Sequence, residues 1–211
     1  MTDGWADRLR ALLRLYLLAD TGLVPAESLP QAVEAALRGG VTAVQLRGRD
    51  ATTPELLALA RAINELCRAG NVLFIVNERI DVALAAEADG AHVGHIGEDQ
   101  ASPVEAHHVL GPDAIVGVSV GSAQEARLAT SQGANYISAG PMFSASTHEP
   151  VGEPLLRSVR SATRLPLVVI GGITLDRAAG LYAAGADGVC VGAGILRAAV
   201  TENRQVIPFA G

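Results

Sequence analysis

The chain has 211 residues, of which 49% are hydrophobic, 18% charged and 3% aromatic, and this balance predicts a single α/β domain over residues 1–211. Its formal net charge of −6 argues against a nucleic-acid partner, because phosphate backbones are bound by basic faces. No apolar run is long enough to span a bilayer and no signal-peptide pattern opens the chain, so we expect a cytoplasmic protein without membrane contact.

Short apolar runs alternate with amphipathic segments from one end of the chain to the other. A short amphipathic helix is predicted over residues 5–14, ahead of the first strand. Eight buried strands are predicted, at residues 15–19, 43–47, 72–76, 91–94, 114–118, 136–139, 167–170 and 189–191. Helices are predicted between and after them, at residues 28–38, 53–68, 79–87, 102–110, 122–131, 154–162, 174–184 and from residue 195.

Glycine recurs where a predicted helix gives way to the next strand. A glycine there can adopt the left-handed conformation that ends a helix. The junctions carry Gly39-Gly40, Gly70, Gly90, Gly133 and Gly185. With eight strand–helix units, this repeat predicts a (βα)8 TIM barrel of parallel strands. An open doubly wound sheet with a dinucleotide site is the alternative, but no GxGxxG follows the first strand.

The two cysteines, Cys67 and Cys190, lie in a helix pattern and a strand pattern. No CxxC motif or zinc-ligand set surrounds either of them, so both are predicted to be small buried hydrophobic residues. A disulfide framework is not expected.

Functional side chains of such a barrel lie where the strands end at their carboxyl edge. After the second predicted strand, Arg47 and Arg49 flank a glycine, and the guanidinium fork matches phosphate oxygens. The alternative is a solvated rim in which an arginine pairs with a neighbour such as Asp50. Asn77 and Glu78 follow the third strand and suit a polar ligand with a metal.

Carboxylates after the fourth strand, with Glu78, provide hard oxygen ligands across neighbouring loops. Magnesium is held in this way when a diphosphate completes its shell. The alternative for these carboxylates is capping of the helix that starts at Ser102. A transition-metal site that uses His92 and His95 is disfavoured, and His92 is predicted to be a packed strand residue.

Two further stretches are candidate ligand contacts. Ser119 ends the fifth predicted strand, and its hydroxyl either reaches a ligand or bonds the next turn. The loop over residues 140–152 is long enough to close over a substrate, although a loop without function is the alternative. Glycine-rich turns after the last two strands, at residues 171–172 and 192–194, predict a phosphate site at helix N-termini, the alternative being relief of crowding.

Motifs spread over nearly the whole chain resemble the thiamine phosphate synthase family, which includes the thiazole tautomerases. They are YLLAD, QLRGR, VNERIDVALAAEADGAHVG, GVSV, GANYISAGPMF, VIGGIT and GADGVCVG. The resemblance implies a TIM barrel that condenses hydroxymethylpyrimidine diphosphate with a thiazole phosphate. The implied products are thiamine phosphate and diphosphate, and the implied cofactor is Mg²⁺.

The resemblance also implies roles for individual residues. The implied contacts to the pyrimidine diphosphate are Gln45, Arg47, Arg49, Asn77 and Ser119. Glu78 and Asp99 are the implied magnesium ligands, with Glu98 as the substitute for Asp99. The implied cover over the ligands is Ala145, Ser146, Thr147 and His148, and the implied thiazole-phosphate contacts are Gly172, Gly192 and Ala193. Of these residues, those implied to act in catalysis are Arg47, Arg49, Ser119 and His148.

Several of these positions differ from the family pattern, so a weakened or altered enzyme is one expectation. The differing residues are Arg49, Glu78, His95, Ala145, His148 and Ala193. One alternative function is thiazole isomerisation, which in that branch uses a histidine after the fifth strand, where this chain has Gly121. The other alternative is a non-catalytic protein that binds phosphorylated ligands. The sequence leaves homo-oligomerisation open.

Overall fold

The structure is a computed structural model that describes residues 3–97, 101–143 and 152–202. Eight parallel strands form a closed barrel in which each strand pairs with its neighbours in chain order and the first pairs with the last. The predicted (βα)8 barrel with a short N-terminal helix is therefore confirmed. None of the described helices is long and apolar enough to cross a membrane.

Strands and helices alternate along the whole described chain. The strands are β1 (Leu15–Asp20), β2 (Ala43–Arg47), β3 (Leu73–Asn77), β4 (Gly90–His95), β5 (Ile115–Val120), β6 (Tyr136–Ala139), β7 (Leu167–Ile170) and β8 (Gly188–Val191). The helices are α1 (Asp3–Leu12), α2 (Leu29–Arg38), α3 (Thr53–Gly70), α4 (Ile80–Ala85), α5 (Pro103–Leu110), α6 (Ala123–Ser131), α7 (Gly152–Ala162), α8 (Leu175–Ala183) and α9 (Ala193–Glu202).

The left-handed residues that end the helices are only partly those expected. Three of the predicted glycines, Gly39, Gly70 and Gly90, do not have positive φ; near the last two, Asn71 and Glu87 take that conformation instead. Gly90 is needed for another reason, because a Cβ there would lie 1.8 Å from the carbonyl oxygen of Ile115 on the neighbouring strand. The prediction holds at the remaining junctions, Gly40, Gly133 and Gly185.

Two apolar layers hold the barrel together. Strand residues that point outward, such as Val44 and Phe74, pack against the ring of helices. A second cluster fills the barrel interior and includes Tyr16 and Tyr136 with Leu9 and Leu13 from the N-terminal segment. Successive side chains of a strand alternate between its two faces, so the strands contribute to both layers, except that β4 gives Ala91 and Val93 to the outer layer and the polar His92 to the interior.

Helix α1 closes the amino-terminal end of the barrel. Leu9 and Leu13 are at most 2% exposed and pack on the interior cluster. Arg10 ties the helix to the barrel, because its Nε lies 3.3 Å from Asp187 Oδ1 and its guanidinium also donates to the carbonyl of Arg164. The opposite end, where the strands finish, is left for ligands.

Candidate functional site

The ends of β2 and β3 line a cationic cavity at the carboxyl rim of the barrel. Its volume is about 250 Å³. Its lining residues are Arg47, Gly48, Arg49, Asn77, Glu78 and Arg79. The two arginines of the RGR motif therefore face one space. Three guanidinium groups around one cavity suit an anion with several oxygens.

Arg47 is held by a carboxylate that the sequence analysis did not single out. Its Nη1 donates to Asp20 Oδ2 over 2.7 Å, and Asp20 Oδ1 accepts from the backbone N–H of Gly22. Asp20 and Arg47 are direct partners in the β1–β2 register. Arg47 thus pairs with Asp20 across the strands, and Asp50, the neighbour considered in the sequence analysis, is not the partner that the structure gives it.

The other two arginines of the cavity differ in how they are held. Arg79 donates to both carboxylate oxygens of Asp81 and to the hydroxyl of Thr53. These bonds raise the pKa of Arg79 and lower the pKa of Asp81. Arg49 is exposed and makes no ion pair with any other residue that the structure describes. It is therefore the cation of this cavity that is most available to a ligand.

Glu78 occupies a left-handed backbone position directly after β3. Its φ is 60°, and its backbone N–H donates to the carbonyl of His92 on β4 over 2.8 Å. Such a conformation costs a non-glycine residue on the order of 1 kcal/mol or more, and strain of this kind is concentrated at functional sites. The turn presents an exposed carboxylate beside Asn77 at the cavity. Hard oxygen donors at this point fit a magnesium ion whose remaining ligands are water and phosphate oxygens.

The other carboxylates of the predicted magnesium site, Glu98 and Asp99, lie outside the described residues. Among the residues that are described, no group of three or more His, Cys, Asp or Glu side chains is arranged to hold a metal. Both ring nitrogens of His92 are hydrogen-bonded inside the barrel. This observation removes His92 from the transition-metal alternative and agrees with its prediction as a packed strand residue.

A continuous chain of hydrogen bonds crosses the barrel interior below the rim. Gln45 Nε2 donates to the Tyr16 hydroxyl over 3.0 Å, and that hydroxyl is 2.9 Å from the Tyr136 hydroxyl. The Tyr136 hydroxyl is 3.1 Å from His92 Nδ1, and His92 Nε2 is 2.9 Å from Ser119 Oγ. The chain joins five strands, and its two ends are residues that the sequence analysis assigned to the ligand.

Burial controls the protonation of this interior chain. The interior position of His92 lowers its pKa to about 4, so the ring is neutral at physiological pH. Burial likewise raises the pKa of Tyr16 and Tyr136, which stay protonated. Room for Tyr136 comes from Gly117, where a Cβ would lie 2.0 Å from the tyrosine Cζ. Every member of the chain is therefore uncharged.

His95 lies at the rim next to the end of β5. Its Nε2 is 3.4 Å from Glu125 Oε2, and the same carboxylate oxygen accepts from the backbone N–H of Gly121. A Cβ at Gly121 would lie 3.4 Å from His95 Nε2. The imidazole therefore occupies the space beside the position where a tautomerase histidine was expected, and its Nε2 faces a carboxylate.

The glycine-rich turns after β7 and β8 lie side by side. Ile170 pairs with Cys190; Gly172 follows β7 by two residues, and Gly192 follows β8 directly. Ala193 begins α9, and α8 begins three residues after Gly172, so two helix N-termini lie at this part of the rim. Crowding also operates here, because a Cβ at Gly171 would lie 2.4 Å from Pro141.

The start of the loop after β6 is hydrogen-bonded to the end of β7 and the glycine-rich turn that follows it. The backbone N–H groups of Met142 and Phe143 donate to carbonyls of Ile170 and Gly171. Arg177 stacks 4.5 Å over the Phe143 ring and donates to the carbonyl of Gly172. The rest of the predicted covering loop, with Ala145, Ser146, Thr147 and His148, lies outside the described residues.

A second cavity, of about 200 Å³, lies on the outside of the barrel between α7 and α8. It is lined in part by the carboxylates of Glu153 and Asp176, which disfavour a phosphorylated ligand. Met142 and Phe143 from the start of the loop after β6 also line it, and it shares no lining residue with the cavity at the ends of β2 and β3. The candidate site is therefore the rim cavity with the interior chain below it.

Cys67 and Cys190 are both free and buried. The prediction that they are small buried hydrophobic residues is confirmed. Burial raises the pKa of each thiol to about 12, so neither is a nucleophile in the folded protein.

Comparison with known proteins identifies relatives that cover most of the chain. The family model for thiamine monophosphate synthase matches residues 15–195. A thiamine-phosphate synthase of Moorella thermoacetica is 45% identical over 92% of this chain and 95% of its own length. One from Methanospirillum hungatei is 41% identical over 84% of this chain and 86% of its own length. The solved structure of a thiamine phosphate pyrophosphorylase from Pyrococcus furiosus superimposes with a TM-score of 0.81 at 35% identity, covering 89% of both chains.

Proposed function

The chain belongs to the thiamine monophosphate synthase family, and from this premise we propose how its barrel rim carries out the synthase reaction. The protein is a transferase of thiamine biosynthesis. It condenses hydroxymethylpyrimidine diphosphate with a thiazole phosphate to give thiamine phosphate and diphosphate. Its substrates are small phosphorylated heterocycles, and the proposed location is the cytoplasm.

The observation that carries the site assignment is the cavity lined by three arginines at the ends of β2 and β3. We assign the diphosphate of the pyrimidine substrate to this cavity. Arg47, oriented by Asp20, and Arg49, which has no competing ion pair among the described residues, bind its oxygens. Asn77 adds an amide donor beside them. Charge neutralisation by these groups stabilises diphosphate as the bond to carbon breaks.

Magnesium is the proposed cofactor, held by Glu78 with Asp99 or its neighbour Glu98 as the second carboxylate. The exposed carboxylate of Glu78 at the cavity supports the first ligand. When bound, the ion neutralises negative charge on the leaving diphosphate. The protein's own part is to hold this carboxylate in place through the backbone hydrogen bond from Glu78 to His92.

The pyrimidine ring is assigned to the mouth of the barrel interior, between Gln45 and Ser119. Both side chains end the interior chain of hydrogen bonds, and each keeps hydrogen-bonding capacity for a ligand. The thiazole phosphate is assigned to the turns at Gly172 and at Gly192 and Ala193, where helix N-termini favour an anion. Covering of both substrates is assigned to the loop segment Ala145, Ser146, Thr147 and His148.

The proposed chemistry is a dissociative substitution. The bond between the pyrimidine methylene carbon and the diphosphate oxygen breaks, and the electron pair leaves with diphosphate. The thiazole nitrogen then donates its lone pair to the methylene carbon and forms the new C–N bond. No protein nucleophile is required, because placement of the two rings and neutralisation of the leaving group supply the rate.

A diphosphate-release assay tests this proposal. Release is expected only when the pyrimidine diphosphate, the thiazole phosphate and Mg²⁺ are all present. Glu78→Ala is expected to raise the Mg²⁺ concentration needed for half-maximal rate by about tenfold or more, because it removes one ligand. Glu65→Ala, which removes an exposed carboxylate on α3, serves as the matched control.

Other outcomes separate the alternative functions. Thermal stabilisation by thiamine phosphate without any turnover would indicate a binding protein. Isomerisation of a thiazole carboxylate phosphate that is lost in His95→Asn would indicate the tautomerase function. A rate that does not respond to Mg²⁺ would contradict the magnesium assignment, and light scattering on the purified protein would report whether copies associate.

A further inference from the structure

The interior chain of hydrogen bonds has only two self-consistent arrangements of its protons. Each tyrosine hydroxyl carries one proton, and the neutral ring of His92 carries one. The end residue that donates, Gln45 or Ser119, supplies a fourth proton, so each of the four links holds one proton and reversing one link reverses the others. Chains of this kind are also cooperative, because each donor is polarised by the bond that it accepts.

The structure selects one of these two arrangements. Gln45 donates through Nε2, so the Tyr16 hydroxyl accepts that bond and donates to Tyr136. Tyr136 then donates to His92 Nδ1, which places the imidazole proton on Nε2, facing Ser119. Ser119 accepts at its oxygen and keeps its own proton for another acceptor. At the opposite end, Gln45 keeps its carbonyl oxygen for another donor, together with its second amide N–H.

We propose that Tyr16, Tyr136 and His92 are positioning residues that set which end of the pyrimidine cradle accepts a hydrogen bond and which end donates one. This inference rests on the proposed function and deepens it. The cradle then selects a ring that carries an amino donor beside an unprotonated nitrogen acceptor. In the analogue in which oxygen replaces the amino group, the ring nitrogen is protonated, so the hydroxyl proton of Ser119 has no acceptor there and binding is weaker.

The surroundings of the chain argue for a role beyond packing. Tyr16 and Tyr136 are at most 1% exposed, and buried hydroxyls are costly unless all their bonds are made. Apolar side chains of similar volume would fill the same interior without this requirement. The neighbouring strand has also given up a side chain at Gly117 to admit the Tyr136 ring. The fold thus accommodates an uninterrupted polar connection between the two ligand-facing ends.

Tyr136→Phe breaks the chain at its centre and retains the aromatic ring. Without that hydroxyl, His92 can place its proton on either nitrogen, so Ser119 can act as a donor or an acceptor toward the ligand. Tyr182→Phe is the matched control, because its hydroxyl donates to the carbonyl of Arg14 at the opposite end of the barrel. Both variants lose one tyrosine hydroxyl; Tyr136→Phe loses the two hydrogen bonds to Tyr16 and His92, and Tyr182→Phe loses one.

Calorimetric titration with hydroxymethylpyrimidine diphosphate and with its oxygen-for-amino analogue, without the thiazole phosphate, measures the preference between the two rings. We expect the parent protein and Tyr182→Phe to prefer the amino ring, and Tyr136→Phe to lose about tenfold or more of that preference. The KM for the thiazole phosphate is expected to stay unchanged. A packing role would weaken binding of both rings together and leave their ratio intact.

The possible results separate this inference from the proposed function. A parent protein that releases diphosphate while Tyr136→Phe keeps the ring preference refutes the inference and leaves the synthase function standing. A parent protein without turnover, whose ring preference is nevertheless lost in Tyr136→Phe, refutes the function and supports the inference. Binding of neither ring refutes both.

Discussion

Replacing Arg47 by alanine tests the cationic rim most directly, because this side chain faces the cavity and also neutralises the largely buried carboxylate of Asp20. The Arg47 side chain is 25% exposed and that of Asp20 is 11% exposed, so solvent screens their 2.7 Å contact only partly. In Arg47→Ala, Asp20 keeps the bond from Gly22 and loses its cation.

Two magnitudes follow from that geometry. A charge-assisted hydrogen bond contributes about 1.5–3 kcal/mol, so the free energy of unfolding should fall by about 2 kcal/mol. For a protein of this size, that loss corresponds to a decrease in melting temperature of about 4–8 °C. Loss of one guanidinium contact to the diphosphate should lower kcat/KM for the pyrimidine substrate by about 10- to 100-fold.

Melting temperature and diphosphate release, measured on the same variants, separate the two effects. Asp20→Asn combined with Arg47→Ala should recover most of the melting temperature and none of the kcat/KM, because the unpaired charge is gone and the phosphate contact is still missing. Arg68→Ala is the control, since its ion pair with Glu87 is exposed and contributes little. An unchanged KM for the pyrimidine diphosphate in Arg47→Ala would refute the assignment of this cavity.

Three further predictions concern the barrel interior. The pKa of His92 is about 4 in the folded chain and 6.5 in the unfolded chain. The free energy of unfolding should therefore fall by about 3 kcal/mol as the pH drops through this window. In urea titrations, His92→Gln should lack this part of the pH dependence. Gly117→Ala should lower the free energy of unfolding by about 3 kcal/mol, because its Cβ would overlap the Tyr136 ring. Gly180→Ala, with open space around its Cβ, should raise it by about 1 kcal/mol in the same assay. The thiol of Cys190, whose pKa burial raises to about 12, should react with a disulfide reagent only after unfolding, and rapid modification of the native protein would contradict its burial.

Local sequence signals were sufficient for the architecture. β2, β6 and β7 were predicted with the bounds that the structure gives them, because each is an apolar run that Gly, Pro or a polar residue interrupts at both ends. β5 was cut short, since Ser119 was interpreted as the end of the strand when it is an inward-facing position within it. Strand ends are set by register with neighbouring strands, which a single sequence does not contain.

Some residues of the candidate site could likewise be predicted from local sequence, and others could not. Arg47 and Glu78 were predicted from their position after a strand, since parallel strands bring their carboxyl ends to one rim. The interior chain was missed because Tyr16 and Tyr136 are 120 residues apart and lie on strands that do not pair. Only closure of the barrel brings them within hydrogen-bond distance. The period-two alternation that places Tyr16 and Asp20 on the same face of β1 was the available signal.

Leu9 of α1 and Leu13, which directly follows the helix, form an apolar floor under the barrel interior. Because both side chains are at most 2% exposed and pack on the same cluster as Tyr16 and Tyr136, they shield these tyrosines at the lower end of the barrel. A heterocycle bound at the mouth, where the strands end, would exclude water from the hydrogen-bonded chain beneath it. Its arrival therefore lowers the local dielectric and stiffens the same hydrogen bonds that receive it, so that occupancy at the top is felt down to the base of the lumen.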